Sequence, residues 1–587
     1  MKQFFITVAG VFVGLVLFMI AVPVALISMA AASGPPALPG RVVLNLDLRE
    51  GLSDQDQPGF LGLGGSSMSV MSLVEALRRA ETDDKVRGVF VRLPEGAMEP
   101  AAADELRLAF ERLKKAGKTI TIHSQGLYPD STVISTYELA ASGSRLWMQP
   151  NASFQVTGIG AEEVFFRRFF DRWQVHPEFE QRAEYKNYVN PYLYSDFTPA
   201  HREAELGWLT SIYESAINAA AAGRRLDPAQ LRAALEAGPY SAPDALAQKL
   251  IDQLGQVKEA EDAALKAAGD GARLVEMGDY VARGAPGPRT GPAIAVIGAE
   301  GAIVTGSGGS GNPLTGESNI YSDEVAAAFY KAIEDREVKA IVFRVNSPGG
   351  SDTASEQILA ALKAARAAGK PVVVSMGTYA ASGGYWISSG ASAIVAEPTT
   401  LTGSIGMFAG KFALGEALAR FGVDVREISV GGDWSSAFGM GAEMTPEQRA
   451  AFKKWIDEAY EEFIQRVATG RNLPADRVRE IARGRVWTGA QAKELGLVDE
   501  VGGFYQAVAR AQALAKLTGE PRLKPIRSTS SPFEDLERLF GAGSEAVRAV
   551  ETVHALASDP DARAVLGQLR DERLRRQGAN VLAPQPY

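Results

Sequence analysis

The chain of 587 residues is too long for one hydrophobic core, so two or more domains are expected. Its apolar content of 46% and charged content of 22% describe a globular protein, and a formal net charge of −9 argues against nucleic acid as a partner. The absence of cysteine excludes disulfides, thiolate catalysis and Cys-ligated zinc, and the four histidines (His123, His176, His201, His554) lack metal-ligand spacing, so neither a metal nor a cofactor is expected.

Between Lys2 and Arg41 there is no charged residue, and residues 4–32 are almost wholly apolar. A bilayer-spanning helix needs about 20 such residues, whereas the apolar core of a cleaved secretory signal has only about 7–15. An uncleaved signal anchor is therefore expected, although Ala30-Ala31-Ala32 would suit a cleavage site. Lys2 and the amino terminus favour a cytoplasmic N-terminus, with the remaining chain outside, at the membrane surface. Pro35-Pro36 and Pro39-Gly40 read as a linker, which makes residues 1–40 an anchor segment.

Beyond the anchor the chain repeats itself. Residues 86–92 (Val-Arg-Gly-Val-Phe-Val-Arg) return as 338–344 (Val-Lys-Ala-Ile-Val-Phe-Arg), and the helical stretch 106–118 returns as 358–370, both 252 positions on. Phe197-Thr198-Pro199 returns as Met444-Thr445-Pro446, and residues 240–252 return as 487–499, at an offset of 247. Order and spacing hold over about 170 residues, the mark of a tandem duplication. Each copy alternates β-branched runs with amphipathic helical stretches, which predicts βαβ units around a mainly parallel, buried sheet. The first copy is expected over 41–283, a Gly/Pro-rich linker over 284–292, the second copy over 293–519, and a charged, helix-like extension suited to docking or oligomer contact over 520–587.

In the first copy the residue of interest is Lys186, in Glu184-Tyr185-Lys186-Asn187-Tyr188. It lies twelve positions before Thr198; the matching position before Thr445 is Asp433, and no lysine occurs between Arg426 and Lys453. A lone lysine is ordinarily a surface residue. The second copy, however, carries what Lys186 would serve: Tyr379-Ala380-Ala381-Ser382-Gly383-Gly384-Tyr385-Trp386 has the composition of a nucleophile at a strand-to-helix turn. Its glycines permit a strained turn and leave a backbone N–H facing an attacked carbonyl oxygen. Upstream, Asn346-Ser347-Pro348-Gly349-Gly350 offers a second donor. The competing reading is a small-residue helix start that serves only close packing.

The first copy has no such turn. Its corresponding stretch reads Leu127-Tyr-Pro-Asp-Ser131-Thr-Val, and Pro94-Glu95-Gly96-Ala97 stands for Ser347-Pro348-Gly349-Gly350. Serine in one copy and lysine in the other thus look like halves of one site. A serine hydroxyl needs a base, and lysine can serve only when neutral, which burial favours. Tyr185, Tyr188 and Tyr192 are expected to wall the amine from water, and Ser404, in Leu401-Thr402-Gly403-Ser404-Ile405-Gly406, either orients it or caps a turn. His123 is the alternative base, but its repeat equivalent is Ser375 and no Asp partner is apparent.

Together these motifs resemble the long, duplicated form of bacterial signal peptide peptidase, from the anchor to about residue 515. The resemblance implies an α/β fold of two tandem domains related to the Clp protease subunit and the crotonases, preceded by one transmembrane helix. It implies a serine endopeptidase with Ser382 as nucleophile, Lys186 as general base and Ser404 as the lysine's partner, Gly383 with Gly349 or Gly350 forming the oxyanion hole. It further implies a bowl-shaped homotetramer on the outer side of the inner membrane, degrading signal peptides left in the bilayer. Two other classes compete: a crotonase-like acyl-CoA enzyme, disfavoured by the outside location and the Ser–Lys pair, and a catalytically inactive assembly scaffold.

Overall fold

The computed structural model describes residues 38–56, 68–284, 290–308, 319–526 and 579–582. The expected membrane anchor lies outside the described residues apart from its last few positions, and among the described residues no helix is long and apolar enough to cross a membrane.

Each copy is built on one parallel sheet. In the first, the strands run in the order Gln253–Leu254, Arg145–Met148, Thr119–Ser124, Val86–Arg92, Val42–Asp47, Arg273–Glu276. In the second, the same order is filled by Glu500–Val501, Ala393–Ala396, Val372–Ala381, Val338–Ser347, Ala293–Glu300 and Arg522–Pro525. All ten pairings along these two paths are parallel. Central strands are apolar on both faces because both are covered: Ile341, Val342, Phe343 and Val345 have no exposed surface. Helix Asp352–Ala367 lays Ile358, Leu359 and Leu362 against that layer, each worth about 1.5–3 kcal/mol of burial.

The repeats seen in the sequence correspond to recurrent structural devices. Thr198 and Thr445 cap the 26-residue helices Pro199–Arg224 and Pro446–Arg471, with proline in the first turn, where a missing N–H costs nothing. Tyr137 and Tyr385 each donate a hydroxyl proton across the core, to Leu250 O and Leu497 O at 2.9 Å. Asp252 and Asp499 each accept the amide of a sheet residue, Leu146 or Ile394, at 2.7 Å. The tyrosines lie 248 positions apart, so Ser382 stands opposite Ile134, just past the stretch 127–133 expected to correspond to it. The first copy is longer by four residues between strand and helix, which displaces the comparison. The extension also begins later than expected: Arg522–Pro525 is an edge strand of the second sheet, the counterpart of Arg273–Glu276, and lies past the anticipated boundary at 519.

One difference between the copies positions the site. The first-copy strand Thr119–Ser124 has six residues, whereas its counterpart Val372–Ala381 has ten. The additional length follows a register shift against Val338–Ser347 and pairs residues 379–381 with Leu401–Gly403, which pairs antiparallel with Val486–Thr488. Ser382 follows directly.

The copies are joined by buried charge. Arg344, on the strand leading to Gly349, holds Asp54 of the first copy at 2.6 Å, with both side chains almost fully buried. Thr399 donates to Asp104 at 2.7 Å, and the amide of Phe504 donates to both oxygens of Glu105, at 2.9 and 3.0 Å. Glu397 is fully buried beside them, and desolvation, then the charges of Glu105 and Asp104, hold its carboxyl well above the usual range, with Arg107 opposing. A carboxyl that is protonated in the folded state and ionised in the unfolded one makes stability fall as pH rises above the ordinary value of 4.5, by up to about 1.4 kcal/mol per unit until the folded-state value is passed. Glu397→Gln should therefore leave stability near neutral pH unchanged or higher and flatten its decline with pH, as read by urea unfolding from pH 5 to 9.

Candidate active site

Ser382 ends the strand Val372–Ala381 and begins the helix Gly383–Ser389 with φ +55° and ψ −118°, a backbone region that side chains other than glycine's rarely enter. Two hydrogen bonds impose it: Ser382 N–H donates to Gly403 O at 2.8 Å, and Trp386 N–H donates to Ser382 O at 2.9 Å. The glycines after it have no space for a side chain. A Cβ on Gly383 would lie 2.9 Å from Ser355 Oγ and 3.0 Å from Gly350 N, and one on Gly384 would lie 2.6 Å from Ser347 O.

The Gly-rich strand Gly349–Ser351 packs against this turn. Gly350 has φ +156°, and a Cβ there would collide with Ile303 O at 2.1 Å, so only glycine lets the two strands approach. The two candidate donors differ. Gly349 N–H is engaged by Ser347 Oγ at 3.1 Å, whereas Gly350 N lies against Gly383.

Lys186 arrives from the first copy on a ribbon. Strand His176–Arg182 leaves its own sheet and pairs antiparallel with Met407–Ala413 of the second copy, in the register Arg182–Met407 through His176–Ala413. Glu178 fastens it: one oxygen accepts Met444 N–H at 2.8 Å and the other pairs with Arg449. Behind the ribbon, Phe179 and Val189 pack on Phe408. The chain then turns so that Tyr185 N–H donates to Arg483 O at 3.2 Å and Lys186 backs onto Gly484. Gly484 has φ +77°, and a Cβ there would lie 2.6 Å from the backbone N and Cβ of Lys186.

The result brings together the lysine and serine that the sequence places 196 residues apart. Lys186 Nζ lies 2.7 Å from Ser382 Oγ, 3.0 Å from Ser404 O and 3.0 Å from Ser404 Oγ. Lys186, Ser382 and Ser404 all have no exposed surface. Lys186 makes no ion pair among the described residues, and burial holds its amine well below the usual lysine value. Ser404 has φ +48°, and its N–H donates to Arg485 O at 2.7 Å, so it is fixed by the loop that also backs Lys186.

Not every sequence expectation for this region holds. Tyr188 stacks on Phe408 with centroids 4.8 Å apart, and Tyr192 packs among Phe170, Phe179 and Phe412. Tyr185 instead turns to the surface, donating to Glu203 at 3.0 Å with the Arg485 guanidinium 4.9 Å from its ring centroid. His123 is a buried histidine of the first sheet, 3.1 Å from Gly255 O, with its imidazole pKa lowered by burial. Gly484 and Arg485, which brace both the lysine and Ser404, were not anticipated; as one glycine among 60 and one surface-type arginine, they carry no signal in sequence.

The chain is similar to several known proteins. A model of peptidase family S49 matches residues 113–269 and 364–518, once in each copy. Protease 4 of Salmonella typhi is 36% identical over 468 residues, spanning 76% of this chain and 72% of its own. Protease 4 of Haemophilus influenzae is 30% identical over 534 residues, spanning 86% of this chain and 83% of its own. A chloroplastic serine protease SPPA of Arabidopsis thaliana is 28% identical over 531 residues, 88% of this chain and 76% of its own. Among solved structures, ClpP1 from Listeria monocytogenes matches at 15% identity and a TM-score of 0.24, over 36% of this chain and 94% of that one. With both copies matched and most of its length shared with two Protease 4 sequences, the chain belongs to peptidase family S49 and is a serine protease.

Proposed function

We propose that Ser382 and Lys186 form a catalytic dyad divided between the two copies, cleaving peptide bonds through an acyl-enzyme. The observation that carries this reading is the 2.7 Å approach of Lys186 Nζ to Ser382 Oγ in a buried setting with no counter-ion among the described residues. A neutral amine has two N–H bonds and one lone pair. With both N–H bonds directed at Ser404 O and Ser404 Oγ, the lone pair faces the serine hydroxyl. Ser382 Oγ then bonds to the peptide carbonyl carbon while its proton passes to Lys186 Nζ. The N–H groups of Gly383 and Gly350 receive the developing oxyanion; Gly349, already bonded to Ser347 Oγ, is the weaker candidate. The lysine ammonium returns the proton to the leaving amine. Water, deprotonated by the same amine, then releases the acyl group.

The substrates are apolar peptides, remnant signal peptides above all, cleaved on the outer face of the inner membrane. The uncharged run at residues 4–32 supports anchoring beside such peptides. A homotetramer is supported by exposed apolar residues: Phe421 is 69% exposed, Ile428 96% and Val430 95%.

Ser382→Ala should abolish hydrolysis of an apolar fluorogenic peptide, and Lys186→Met should lower kcat by about 10²–10⁴-fold with circular dichroism unchanged. Undiminished turnover in either variant would refute the dyad. Because the base works only when neutral, kcat/KM should rise with pH through an inflection well below the usual lysine value of 10.5, and that limb should vanish in Lys186→Met. Gly484→Ala, which pushes on the lysine without touching the serine, should cost about 10²-fold in kcat and slow fluorophosphonate labelling of Ser382 in parallel, with circular dichroism unchanged.

A further inference from the structure

Residues Ala579–Leu582 form a strand antiparallel to Gly349–Ser351, with Leu582 opposite Gly349, Val581 opposite Gly350 and Ala579 opposite Ser351. On its other side Gly349–Ser351 pairs with Ala302–Val304, and beyond that lies Asn319–Tyr321. The glycine strand therefore has one edge left for an added strand, and this tail segment takes it. The same segment runs alongside Met407–Ala413, the strand that holds the lysine-bearing ribbon. Its backbone thus lies between an element next to Ser382 and an element that delivers Lys186.

An extended peptide is recognised most simply by adding its main chain to a free sheet edge, where unpaired N–H and C=O groups need partners. Gly349 and Gly350 suit that purpose because no side chain holds the incoming strand away. Gly350 is also the residue whose amide lies against Gly383. A substrate bound for attack by Ser382 needs its main chain on this edge, so the tail and a substrate cannot both occupy it.

We propose that Ala579–Leu582 is a tethered occupant of the peptide-substrate groove, a competitive inhibitor carried by the chain itself; this rests on reading Ser382 and Lys186 as the catalytic dyad. The pairing also assigns substrates an orientation, antiparallel to Gly349–Ser351. A strand of four residues makes few main-chain hydrogen bonds, each of small net worth, so it holds its place by tethering rather than by intrinsic affinity. Substrates that reach further along the groove displace it.

The test compares the full chain with a variant ending at Gly578 and with Val581→Pro, which removes one N–H from the added strand. With an apolar fluorogenic peptide, both variants should show KM lowered about five- to tenfold and kcat within about twofold of the parent, the size expected when a weak ligand is held at millimolar effective concentration. A synthetic peptide spanning residues 577–585 should inhibit the shortened chain competitively. Unchanged KM together with no competition by that peptide would overturn the proposal. Amide hydrogen exchange in the inactive Ser382→Ala background separates the two readings: protection of residues 349–351 that disappears on shortening supports the tail whether or not the dyad is correct. Equal exchange in both lengths, with the parent active, would reject the tail and leave the dyad standing.

Discussion

An amine taken out of water loses the hydration that stabilises its charged form, and at Lys186 no counter-ion among the described residues replaces it. The surrounding chemistry preserves that condition. Acidic residues are near in sequence and in space, yet each is committed elsewhere: Glu184 to Arg483, Glu203 to Arg485 and Tyr185, Glu178 to Arg449. An idle carboxylate beside the amine would hold it protonated and remove its lone pair. These arginines, all of the second copy, fasten the lysine-bearing segment of the first copy in place.

Because the amine is sealed by residues of both copies, the site exists only where they meet. The duplication accounts for how this came about without a new fold. Both copies keep the tyrosine–carbonyl bond across the core, the aspartate that receives a sheet amide and the threonine-capped long helix. What diverged is local. The second copy lengthened one strand and shaped a turn around glycines; the first copy sent one strand out of its sheet to pair with its neighbour. The interface carries a dense set of buried acids, Asp54, Asp104, Glu105 and Glu397, with Arg344 and Arg107 among them. Breaking such a pair leaves a lone buried charge, so these contacts favour one docking of the copies over sliding alternatives.

The sequence exposed some of this and concealed the rest, for physical reasons. The paired glycines around Ser382 and the glycines at 349–350 are legible because a strained turn and a close strand approach admit almost no other residue. Lys186 is legible only through the repeat: by composition it is one lysine among many, and its counterpart position in the second copy holds Asp433. The parallel sheets follow from runs of β-branched residues buried on both faces. Tyr185 departs from the expected wall because adjacency in sequence does not set side-chain direction; its ring lies instead beside the Arg485 guanidinium. Gly484 was invisible because its constraint comes from a residue of the other copy, at a distance no local pattern encodes.

The backbone at Ser382 has a consequence for which residues this position can ever hold. At φ +55° a side chain with two heavy branches at Cβ crowds its own backbone, so threonine is disfavoured here on conformational grounds as well as by its more hindered secondary hydroxyl. Cysteine has a single γ atom and tolerates the turn as serine does. The routes open to a changed nucleophile are therefore set by Cβ branching before any question of acidity arises. A hydroxyl-to-thiol exchange is accessible here, whereas a secondary-alcohol nucleophile is better suited to a different turn.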